Sequence, residues 1–73
     1  MTIPYEAMTV LSRHAYPGGW PMYVVCFHLP TAPSKRARVT TRIDNVTYSG
    51  PVIGYNFTRR MCEAQLFARE PTP

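Results

Sequence analysis

Residues 58–70 read TRRMCEAQLFARE, and what this stretch forms decides the architecture of the chain. It reads as a helix opened by Thr58 as N-cap and stopped at Glu70 by Pro71. That reading puts Arg59 and Arg60 in the first turn, where the helix dipole favours negative charge. Two cations at that end need an explanation from the rest of the chain.

Working back from Thr58, the segment Val52 to Asn56 is a connection, and Gly50-Pro51 is expected to end strand pairing because proline cannot continue a central ladder. Val46 to about Gly50 reads as a strand paired with RARVTTRI before it, where Ala37, Val39, Thr41 and Ile43 alternate with Arg36, Arg38, Thr40 and Arg42. Asp44-Asn45 between them suits a two-residue hairpin turn, since both residue types tolerate positive φ. Residues 22–29, MYVVCFHL, are β-branched and aromatic, as a covered strand is, and residues 30–34 form a loop. At the front, PYEAMTVLSRHA (residues 4–15) places Ala7, Met8, Leu11 and Ala15 on one helical stripe, with Glu6, Thr9 and Arg13 opposite, until Pro17-Gly18-Gly19 stops it. The expected fold is α+β, in the order α-β-β-β-α, with two helices packed on the apolar face of a three-stranded antiparallel sheet.

The chain's 73 residues, eight of them proline, support one small domain over residues 1–70, with 71–73 as a tail or the start of a linker. Cys26 and Cys62 sit in apolar runs, which suits free thiols in a reducing, intracellular setting. There is no secretory leader pattern, and the longest apolar run, MYVVCF, is too short to span a bilayer. A formal charge of +4 at pH 7 makes polyanions the first suspected partners, beside a charge spread merely for solubility.

In this order of elements the chain resembles the double-stranded RNA-binding domain family. Pro4 with Met8 and Leu11 looks like its first helix, Pro21-x-Tyr23 like the start of its first strand, and Val39-x-Thr41-x-Ile43 with Asp44-Asn45 like its central hairpin. Thr58-Arg59-Arg60-Met61-Cys62 resembles the Ser-Lys-Lys-x-Ala opening of its last helix. The resemblance implies a non-catalytic module of an RNA-processing or RNA-silencing protein, its partner double-stranded RNA. Arg59 and Arg60 would then anchor a phosphate at the helix N-terminus, and Glu6, Thr9 and Arg13 would lie near the minor groove. Thr31, Ser34, Lys35 and Arg36 would supply a second contact. The chain departs from the family at Val10, at a loop without histidine, and at Glu63 in place of a third lysine.

Two further readings remain open. One is a degenerate copy of that domain holding a protein or a second copy, through Met61, Ala64 and Ala68 on the last helix or through pairing of the third strand. The other is a small stand-alone inhibitor or adaptor, of viral or other origin, docking Arg36, Arg38 and Arg42 on an acidic protein. Cys26, His28, His14 and Cys62 match no usual zinc spacing, and no carboxylate pair or phosphate loop suggests catalysis. The expectation is a protein with no enzyme activity, cofactor, metal or small-molecule substrate.

Overall fold

A computed structural model describes residues 1–69, and it overturns the α+β expectation. Five strands form one antiparallel sheet: β1 (Met8–His14), β2 (Met22–His28), β3 (Arg38–Ile43), β4 (Val46–Asn56) and β5 (Met61–Ala68). Their order across the sheet is β1-β2-β5-β4-β3. The described residues contain no α-helix, only a 3-10 turn at Tyr5–Ala7.

Both expected helices are strands. β5 lies between β2 and β4, so its backbone groups are satisfied on both sides. Its side chains alternate: Cys62, Ala64 and Leu66 are fully buried, while Glu63 and Phe67 are exposed. β1 pairs with β2 and carries a bulge between Val10 and Ser12, which brings Met8, Val10 and Arg13 opposite the core residues Phe27, Val25 and Tyr23. Glu70, the last residue of the expected final helix, and the expected tail at 71–73 lie outside the described residues.

The Asp44-Asn45 hairpin stands where the spacing placed it, with φ of 51° and 66° at the two residues. Pairing does not end at Gly50-Pro51, however, and β4 runs on to Asn56. Pro51 is exposed opposite Arg38. Gly50 lets the chain pass close to its neighbour, because a Cβ there would sit 1.6 Å from the Gln65 carbonyl oxygen.

Residues 1–3 add a further lane, held to β3 by Ile3 N–H donating to Thr40 O at 3.0 Å and Thr40 N–H donating to Met1 O at 2.9 Å. This lane and β1 border opposite ends of the sheet, about 24 Å apart if six lanes lay flat. The chain crosses from Ile3 to Met8, which five residues could span only to about 17 Å even fully extended. The sheet is therefore rolled. Inside the roll lie Val25, Phe27, Val39, Ile43, Tyr48, Cys62, Ala64 and Leu66, with Tyr23 and Tyr48 edge to face at 5.3 Å. Burying a side chain such as Val25 or Leu66 contributes about 2 kcal/mol, and the aromatic pair adds about 1 kcal/mol.

A candidate nucleic-acid interface

Because Val39, Thr41 and Ile43 point inward, Arg38, Thr40 and Arg42 point outward on β3. The register sets Pro51, Ser49 and Thr47 of β4 beside them. On the next lane Phe67 stands opposite Ser49, and the same register continues to Gln65 on one side and to Arg69 on the other, where Arg69 N–H donates to Thr47 O. Three strands thus share an outer face on which Phe67, 44% exposed, is framed by Arg38, Arg42 and Arg69, with the hydroxyls of Thr40, Thr47 and Ser49 between them. None of these nine positions is acidic. Among the described residues no guanidinium lies within 4.0 Å of a carboxylate, so these cations are not neutralised by the chain's own described acids.

The residues expected to bind RNA are scattered. Arg59 and Arg60 sit in the turn between β4 and β5, not at a helix N-terminus. The phosphate anchor expected of them has no dipole and no helical N–H groups behind it. Arg59 N–H instead donates to the Asn56 side-chain oxygen at 2.9 Å, and Arg60 takes a left-handed φ of 56° to close the turn. Thr9 and Arg13 lie on β1, and Glu6 lies in the 3-10 turn. Arg13 donates to Tyr23 Oη at 3.4 Å and lies 5.9 Å from that ring's centre, so part of its charge is engaged by the domain itself. Thr31, Ser34, Lys35 and Arg36 lie in the connection leading to β3 and are exposed.

The alternative protein-binding strip on the last helix does not form. Ala64 is fully buried in the core, and Met61 belongs to the opposite face of β5. The expected third strand is part of β4, whose two edges are already paired with β3 and β5, so it offers no seam to a second copy. Arg36 precedes β3, whereas Arg38 and Arg42 do share its outer face.

Sequence reasoning missed Phe67 and Arg69 because it wound them into a helix. The signal for them was the alternation of Cys62, Ala64, Leu66 and Ala68 with Met61, Glu63, Gln65 and Phe67. Among the described residues no group of three His, Cys, Asp or Glu side chains is placed to hold a metal, and no helix is long and apolar enough to cross a membrane. Comparison with known protein families, curated sequences and solved structures finds no match.

Proposed function

We propose that this is a non-catalytic module that binds single-stranded RNA along the outer face of β3, β4 and β5. The observation that carries the reading is the exposed Phe67 ring on an outer sheet face that also carries three arginines. An unstacked base gains about 1–3 kcal/mol on such a ring, whatever its identity. Arg69 stands two residues beyond Phe67, just past the end of β5. Arg38 and Arg42 stand two lanes away on β3, on either side of Thr40, where a strand of RNA crossing the face would meet them with its phosphates. The hydroxyls of Thr40 and Ser49 supply hydrogen-bond partners for ribose. Duplex recognition through two helices has no counterpart in a chain whose described residues hold no α-helix, so a single strand fits this face better. Free thiols at Cys26 and Cys62 are compatible with a reducing compartment.

The test is fluorescence anisotropy with a labelled ten-nucleotide pyrimidine RNA at 50 and 200 mM salt. Three neutralised phosphates predict a log–log salt slope of about −2. Phe67→Ala is expected to weaken binding by about 1–3 kcal/mol with the slope kept. Arg38→Ala with Arg42→Ala is expected to flatten the slope. Equal affinity of all variants, or no binding at 50 mM, removes the proposal.

A second reading has one observation in its favour. β1 pairs with β2 alone, and its bulge leaves Val10 and Leu11 exposed at the edge of the sheet. A protein strand added there would satisfy that edge. A mass in light scattering above that of the monomer, lost on Leu11→Lys, would support a second copy as that strand.

A further inference from the structure

We infer that the groove between the 3-10 turn and the β3–β4 hairpin is a pocket for one guanine base with its 5′-phosphate. This rests on the strand-binding reading for its phosphate and base chemistry. The groove measures about 420 Å³ and is lined by Ile3, Pro4, Tyr5, Glu6, Arg42 and Thr47, among others. Its volume lies within the range of small-ligand sites. Arg42 and Thr47 are cross-strand partners on the arginine-bearing outer face, so the groove opens at the margin of the proposed strand path.

Glu6 decides which ligand fits. It is the one carboxylate among the groove's lining residues, and beside a phosphate-binding face a carboxylate costs affinity unless it takes donors from the ligand. Glu6 and Arg42 line the same groove yet are not within the 4.0 Å of an ion pair. A ligand with two adjacent N–H donors at one end and an anion at the other bridges such a separated pair. Guanine fits this description. Its N1–H and 2-amino group present neighbouring donors that the two oxygens of one carboxylate accept together, while Arg42 takes the phosphate. Adenine and cytosine set a ring acceptor beside their amino group, and uracil sets carbonyls on both sides of its single N–H, so each would turn a lone pair toward Glu6. Ile3, Pro4 and Tyr5 provide apolar walls for the faces of the base.

The experiment is an amide NMR titration of the protein with GMP, IMP and AMP, run beside the RNA titration. IMP lacks only the 2-amino group. GMP is expected to shift the amides of Glu6, Arg42 and Thr47 with a Kd about tenfold below those of IMP and AMP, the discrimination of a modest bidentate contact. Glu6→Gln is expected to bring the three nucleotides within about threefold of one another, with affinity for the pyrimidine RNA kept. Equal binding of the three nucleotides by the native protein, or shifts elsewhere on the sheet, overturns the pocket. Should the pyrimidine RNA still bind in that case, the strand interface stands and the guanine pocket alone falls. GMP selectivity at these amides without RNA binding leaves the pocket standing and removes the strand interface.

Discussion

Thr41 is the residue at which the core is least satisfied. It is 2% exposed, and its hydroxyl oxygen is buried without a hydrogen-bond partner. An unpaired buried hydroxyl costs about 1–3 kcal/mol, and valine has nearly the same shape without it. Thr41→Val is therefore expected to stabilise the fold by about 1 kcal/mol, raising Tm by about 4–8 °C in a domain of this size. A calorimetric Tm at or below that of the native protein would mean that the hydroxyl has a partner. The same substitution leaves the outer face untouched, because Thr41 alternates with Thr40 and Arg42 along β3. A change in RNA affinity on Thr41→Val would therefore argue against the proposed interface.

At the level of elements, β4 depends on one glycine. A methyl group at Gly50 would lie 1.6 Å from a backbone oxygen of β5 and 2.8 Å from the carbonyl carbon bonded to it, and neither can swing aside as a side chain can. Gly50→Ala is expected to separate β4 from β5 and to leave little folded protein by circular dichroism, since the cost exceeds the ~3 kcal/mol typical of overpacking and a domain this small has little reserve. A cooperative melt within a few degrees of the native one would contradict the close approach. Gly50-Pro51 was legible in the sequence as a disruption, but not as one that the strand passes through. The β3–β4 hairpin was legible because Asp44-Asn45 and the alternation from Arg38 to Ile43 agree with each other. β5 was not, for a physical reason. Cys62 and Leu66 are four residues apart, a spacing that shares a face in helix and strand alike, and the intervening Ala64 is the residue that separates the two readings. Met, Glu, Ala, Gln and Leu also favour helices intrinsically, and two flanking strands override that preference. In β1 the bulge breaks the alternation, since the residues paired with the core-lining Phe27, Val25 and Tyr23 are 8, 10 and 13 rather than an unbroken 8, 10 and 12. The arginines of β3 were visible as one face, whereas their aromatic centre and Arg69 depended on reading β5 correctly.

For the molecule as a whole, rolling the sheet puts protonated groups where their charged forms are disfavoured. Burial raises the pKa of the Cys62 thiol, and Glu63 beside it adds to the rise. Burial likewise raises that of the Tyr48 phenol, with Tyr23 and Asp44 adding to the rise and Arg13 partly opposing it. Both groups hold their protons more tightly folded than unfolded, so the unfolded chain ionises first as pH rises. Their contribution to stability is whole below the ordinary thiol and phenol values, about 8.5 and 10, and is lost as pH climbs through the raised ones. Thermal melts between pH 7 and pH 11 should therefore show a flat Tm up to about pH 8 and a steady fall beyond it. Tyr48→Phe removes the phenol while keeping the ring that meets Tyr23 edge to face, and Cys62→Ala removes the thiol. The double variant is expected to start from a lower Tm, because Cys62 is fully buried, but to lose less of it between pH 8 and pH 11. An alkaline fall equal to that of the native protein would place the responsible groups outside the rolled core. The outer face carries arginines, which stay charged throughout this range, so RNA binding by the folded protein should persist at pH 9 while Tm already declines.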